Sequence, residues 1–355
     1  MSRINFGYRT RTMRGSHFSL RVSLRSLTTA AVLFVSAASL AIIAICFGEF
    51  PLEAAEVLAV LAGGGEPFHR TIMLEWRMPI AIAAVAFGAL LGIGGAIFQS
   101  LTRNPLGSPD VIGFDAGSYT AVVIVILALG SNGYWTIAAA ATVGGLATAM
   151  IVYLLSYRRG VQGFRLIIIG IAVSAMLGSI NSYLIVRADI QDAMVVGFWG
   201  AGSLGRVSWA SLLPSLALGA AIVLAASSLS PALKRLELGD DAAATLGTRP
   251  GPARLGLIIV GVATVALVTA AAGPISFIAL VAPQLARRVA KSPGVDLTTS
   301  AAMGAALLAA AHLLSILISQ VFAPIPVGLV TVCLGGIYLI WLLIRETRHQ
   351  YGAPR

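Results

Sequence analysis

The chain has 355 residues, 58% of them hydrophobic and only 11% charged, with a mean hydropathy of +0.91. Soluble domains carry about a quarter charged residues, so a water-soluble fold is excluded and the chain reads as an integral membrane protein. The net charge of +10 comes from 24 Lys+Arg against 14 Asp+Glu, an excess that belongs to the cytoplasmic loops of a multi-pass protein and not to a nucleic-acid surface.

Residues 1–26 form a basic tail with six Arg, followed by an apolar run from Leu27 to Phe47. That run of 21 residues is longer than the roughly 7–15 of a signal-peptide core, so it reads as an uncleaved first helix. Seven stretches hold no Asp, Glu, Lys or Arg: 26–48, 78–102, 116–157, 166–186, 207–233, 255–286 and 297–344. About 20 residues cross the hydrocarbon once. Four stretches hold one span each. The other three, of 42, 32 and 48 residues, are interrupted at Ser131-Asn132-Gly133, Gly273-Pro274 and Pro324-Ile325-Pro326, all turn chemistry. Ten helices follow, the least secure being the half of 255–286 that contains Pro283.

Basic residues distribute 20 to 4 between the two sides of a ten-span chain, which places both termini in the cytoplasm. The domain plan is a tail 1–26, a membrane domain 27–345 and a tail 346–355. Outside, 51–58 reads as a short amphipathic helix with Glu53 and Glu56 facing water, and Gly197–Gly202 as a Gly-rich bend. Inside, 231–254 is the one long loop, with short helical pieces separated by Gly239 and Gly247.

Several chemistries are missing. No Gly-x-x-x-x-Gly-Lys-Ser/Thr precedes either lysine, Lys234 or Lys291, so the chain holds no P-loop for ATP. Cys46 and Cys333 have no metal or redox spacing, and His312 stands alone in an apolar helix. The spans carry polar neutrals such as Gln99, Asn181 and Ser182 but essentially no ionisable group. Proton-coupled carriers mark their paths with such groups, so uphill transport here needs an external motor. The chain by itself reads as a transporter subunit and not an enzyme.

The motif content is specific. Arg77-Met78-Pro79 is followed by Gly94-Gly95-Ala96-Ile97-Phe98-Gln99-Ser100 and by Arg103-Asn104-Pro105-Leu106-Gly107-Ser108-Pro109-Asp110. Further along stand Phe164-Arg165-Leu166-Ile167-Ile168-Ile169-Gly170, Gly273–Gln284 and Pro326-Val327-Gly328. From about Leu27 to Arg345 the chain resembles the permease family of bacterial ABC importers for iron–siderophore complexes, haem and vitamin B12. Within that family the Arg103–Asp110 and Phe164–Gly170 runs are most similar to permeases for catecholate, enterobactin-like ferric siderophores.

The resemblance implies an all-α membrane fold of the type II importer (vitamin B12 permease-like) class in the bacterial inner membrane. It implies a second permease subunit, two cytoplasmic ATPases that carry ATP and Mg, and an extracytoplasmic siderophore-binding protein. This chain itself would bind no cofactor and no metal. By position, Leu236, Glu237, Leu238, Gly239, Asp240, Asp241, Ala243, Leu246 and Gly247 match the loop that couples to the ATPase. Acidic Asp240 and Asp241 near a helix start suit docking, because the helix dipole stabilises them there. Asn104, Pro105, Leu106, Gly163 and Phe164 match the inner loops that narrow the exit, with Asn181 on the pathway. The outer Arg-x-Pro-Arg pattern keeps Arg77 but has Ile80 at its last position. Docking of the binding protein then leans on Arg77, Arg70 and Arg206 or on the partner subunit, which favours a heterodimer over a homodimer. Hydroxamate siderophores, haem and cobalamin remain alternative cargoes, and a gradient-driven carrier or a membrane scaffold the alternative classes.

Overall fold

A chain with so little charge satisfies its backbone inside a bilayer by coiling. The computed structural model describes residues 10–14, 19–48, 50–110, 112–131, 133–156 and 163–351, and it is overwhelmingly helical. Asn132 of the Ser131–Gly133 break, the basic segment 157–162 and the ends of both tails lie outside the described residues.

The N-terminal tail is not featureless. Strands β1 (Thr10–Arg14) and β2 (Ser19–Ser23) pair antiparallel in the register Thr10↔Ser23. Helix α1 (Leu24–Cys46) starts directly afterwards, where Ser23 accepts a hydrogen bond from the Ser26 amide. The short helix α2 (Ala54–Leu61) starts three residues later than the sequence implies. Pro51 and Leu52 stay outside it, and Glu56 accepts from the Glu53 amide at 2.8 Å to close a capping box.

Helix α3 (Pro67–Arg70), a π-helical stretch (Thr71–Arg77) and α4 (Met78–Thr102) form one continuous rod. Pro79 supplies no amide and its ring crowds the carbonyl one turn back. The wider turn accommodates this, with the Met78 amide bonding to the Met73 carbonyl. There follow α5 (Phe114–Leu129), α6 (Tyr134–Ser156), α7 (Gly163–Arg187) and α8 (Ile190–Gly200). The expected Gly197–Gly202 bend is corrected here: Gly197 to Gly200 belong to α8, and only Ala201–Ser203 turn. The reason is packing, since Trp199 is buried and stacks on Tyr119 with ring centroids 6.1 Å apart.

The remaining helices are α9 (Trp209–Leu236), α10 (Asp240–Thr245), α11 (Pro250–Ala272), α12 (Ile278–Ala290), α13 (Leu297–Ser319) and α14 (Val327–Tyr351). Helix α9 runs through Pro231, so 231–236 is helix and not loop. A helix occupies each charge-free segment and each half of the interrupted ones. Among the described residues, seven are long and apolar enough to cross a membrane and two more, Phe114–Leu129 and Val327–Leu342, are shorter and apolar. Helix α12, which carries Pro283, has 13 residues and ends in Arg287 and Arg288.

Helix α4 is the axle of the bundle, packed against α9, α11, α12 and α13. Its glycines make this possible: a Cβ at Gly88, Gly92 or Gly95 would run into the backbone of Gly304, Ser300 or Ala279. The expectation of an interior free of ionisable groups needs correction. The turn before α5 carries Asp110 inward, and the first turn of α5 does the same with Asp115. Asp110 Oδ2 accepts from the Phe277 amide at 3.0 Å, and Asp115 Oδ1 accepts from Thr269 Oγ1 at 3.3 Å. Asp115 sits at the edge of a charge-free block and Asp110 between two of them, and folding brings them to the end of α11 and to the break that follows it.

Candidate coupling segment and gate

The segment between α9 and α11 is shaped by two glycines with positive φ, Gly239 at +111° and Gly247 at +80°. Between them the single helical turns of α10 present two faces. Leu238 and Leu246 are 67% and 53% exposed, while Leu236 and Ala243 are buried in the chain's own core. Asp241 and Gly247 also point outward. Leu236 and Ala243 therefore hold the segment in place from behind, and Leu238, Asp241, Leu246 and Gly247 are what it offers to another molecule.

Asp240, read from the sequence as a docking residue, keeps 44% of its side chain exposed and is also engaged within the chain. Arg254, the buried first-turn arginine of α11, grips it bidentately at 2.7 and 3.2 Å, and Arg103 approaches to 4.0 Å. Asp240 thereby ties α10 to α11 and to the end of α4. Glu237 makes a second tie: Ser100 Oγ on α4 donates to its Oε1 at 2.6 Å. Ser100 and Arg103 stood in the sequence only as members of motif runs and Arg254 not at all, although each lies at or near the edge of a charge-free block.

At the same end of the bundle the α4–α5 loop is set by local and tertiary bonds. Arg103 terminates α4 in the left-handed region at φ 50°. Asn104 Oδ1 then accepts from the Leu106 amide at 2.9 Å, an Asx turn. Gln284 of α12 donates to the Pro105 carbonyl at 2.8 Å, Gln99 donates to the Leu280 carbonyl at 2.8 Å, and Tyr338 Oη of α14 donates to Gln284 Oε1 at 3.3 Å. Asn104 and Pro105 are thus joined to α4, α12 and α14, with Leu106 left 42% exposed.

The other proposed gate pair opens a helix. Gly163 and Phe164 are the first residues of α7, helix and not loop, and the Phe164 side chain is 73% exposed. Asn181 lies further along α7, buried, with no hydrogen-bond partner for Oδ1.

At the opposite end, the three arginines differ. Arg70 and Arg206 are exposed. Arg77 is turned inward: it donates to the Ile45 carbonyl at 2.7 Å and the Phe50 carbonyl at 2.5 Å, closing the end of α1. Its position beside Pro79 in sequence gave no sign of that structural task.

Comparison with known proteins sets these features in context. The model of the FecCD transport family matches residues 32–345. The ferric enterobactin transport system permease protein of Escherichia coli K12 is 44% identical over 331 residues, covering 93% of this chain and 99% of that protein. The iron(3+)-hydroxamate import system permease protein of Bacillus subtilis 168 is 30% identical, covering 90% and 98%. A solved metal-chelate type ABC transporter in an inward-facing conformation superposes with a TM-score of 0.78 at 23% identity, over 90% of this chain and 99% of that one.

Proposed function

Because this chain belongs to the FecCD transport family, we propose that it is the membrane-spanning permease subunit of an ATP-driven importer that carries a ferric siderophore of catecholate type across the bacterial inner membrane. The 44% identity over nearly the whole length to a ferric enterobactin permease carries this reading. The chain is a multi-pass membrane subunit with type II importer architecture. ATP is hydrolysed on a separate chain, since no P-loop is present in the sequence.

The basic end is cytoplasmic, as its arginine excess implies. There the exposed Leu238 and Leu246 seat in the ATPase, Gly247 permits the turn between them and α11, and the ties at Glu237 and Asp240 carry movement to α4 and its following loop. Asn104, Pro105 and Leu106 then narrow the exit, and Asn181 faces the pathway from α7. At the outer end Arg70 and Arg206 are free to meet acidic groups of a binding protein, and Arg77 contributes chiefly by fixing α1. A second permease subunit completes the pathway.

Two experiments test this. Reconstituted with its ATPase, second permease and binding protein, the chain imports radiolabelled ferric catecholate only when ATP is supplied on the basic side; uptake without any ATPase overturns the reading. At Gly247, where a Cβ meets nothing within 4 Å but φ is +80°, Gly247→Val strains the turn by about 1–2 kcal/mol. It leaves the bundle inserted and removes ATPase co-purification and uptake together. Full assembly and uptake in that variant would show that coupling lies elsewhere.

A further inference from the structure

Next to the gate lies a cavity of about 760 Å³ that the coupling and gating roles leave unexplained. Asn104, Pro105 and Gln284 form part of its wall, so it adjoins the hydrogen-bonded α4–α5 loop. Its charge is one-sided. Arg103, Arg287, Arg288 and Lys291 line it against one carboxylate, Glu237, whose Oε1 is already engaged by Ser100. All four cations are exposed.

The α12 arginines are held and not left to wander. Arg287 donates to the Pro293 carbonyl at 3.2 Å, and the Arg288 guanidinium sits 5.3 Å from the Trp341 ring centroid and 5.9 Å from that of Tyr338. Such a volume falls in the range of small-molecule sites, about 300–1,000 Å³, and a concave wall of one sign focuses its field on a compact anion. A ferric tris-catecholate is such an anion: three doubly deprotonated catechols around iron(III) leave three negative charges. A ferric tris-hydroxamate is neutral and receives no such attraction.

We propose that Arg287 and Arg288, with Arg103 and Lys291, form an anion-selective exit vestibule that holds the negatively charged ferric chelate as it leaves the gate. This rests on the cargo reading above and narrows it, because it makes charge a determinant of cargo choice at the inner mouth. Arg287 and Arg288 act as specificity residues through their charge.

The test uses the full chain in phosphatidylcholine nanodiscs and equilibrium dialysis against radio-iron complexes of a tris-catecholate and of a tris-hydroxamate. The wild type binds the catecholate complex in a salt-sensitive way and the neutral complex far more weakly. Arg287→Gln/Arg288→Gln weakens catecholate binding roughly tenfold without changing hydroxamate binding, and Arg287→Lys/Arg288→Lys restores most of the loss. Equal binding of both chelates, no salt dependence, or a lysine variant as weak as the glutamine one overturns the vestibule. Should the glutamine variant fail to fold, the lysine variant and the salt titration still decide. ATP-driven uptake by the assembled wild-type importer is measured separately. Absence of any ferric-chelate uptake there refutes the cargo reading, whereas uptake with charge-blind binding refutes the vestibule alone.

Discussion

Helices α4 and α7 are each 25 residues long and apolar enough to span, yet they occupy opposite situations. In the most apolar window of α4's rod 72% of residues are buried, against 22% in that of α7. Composition alone does not separate them, because lipid and protein interior are equally good solvents for an apolar side chain. The small-residue face separates them. Gly88, Gly92 and Gly95 let α13 and α12 come within backbone contact of α4, while Gly178 on α7 faces open space. α7 keeps a largely exposed face that carries Ser179 and Ser182, the side on which lipid, a second subunit or the transport pathway must lie.

The largest expected effect breaks the axle. In Gly95→Leu the added Cβ would overlap the Ala279 carbonyl. Separating α4 from α12 costs about 3 kcal/mol or more, so thermal unfolding in detergent drops sharply and little folded protein is recovered. A melting temperature equal to wild type would show that α4 is not held as described.

Ser100→Ala tests the lower end of the same helix. Losing a hydrogen bond to a partly exposed carboxylate costs about 1–2 kcal/mol, too little to unfold the bundle. ATP hydrolysis by the assembled importer continues, and uptake per ATP falls several-fold as α4 disengages from Glu237. Proportional loss of both activities would make the contact merely structural.

On α7 the sign reverses. Asn181→Leu removes a buried acceptor that has no partner and leaves stability unchanged or raised by up to about 1 kcal/mol, while uptake declines. Parallel loss of stability and uptake would mean that Asn181 is a packing residue. The smallest effect belongs to Gly178→Leu, whose Cβ meets no atom within 4 Å and which shifts stability by under about 0.5 kcal/mol in either direction. Set beside Gly95→Leu, it measures directly how far a glycine's neighbours, and not its residue type, decide its worth.

The region 231–254 shows how much was legible in advance. Gly239 and Gly247 mark the turns in the sequence as they do in the structure, because only a residue without Cβ adopts those φ values at no steric cost. The inward grip of Arg254 on Asp240, and the burial of Leu236 and Ala243, were not legible. They depend on which face of α10 meets α9 and α11, and six residues carry too short a pattern to define a face. Arg77 makes the same point at the other end: the residue was conspicuous, but the carbonyls of Ile45 and Phe50 that engage it lie far from it in sequence. Backbone carbonyls leave no trace in side-chain identity.

By itself the sequence determined that this chain lives in a membrane, where its helices begin and end to within a few residues, and which transport family it belongs to. These are properties of local composition, of turn residues and of long motif runs. Tertiary structure alone decided which helix is central, which charges pair, and that Asp110 and Asp115 are carried inside. It also brought arginines from α12 and from the end of α4 around one cavity beside the α4–α5 loop. The physical reason is that hydropathy reports transfer from water to an apolar medium. The choice between lipid and protein neighbours turns on close backbone approach and on polar partners that meet only after the chain has folded.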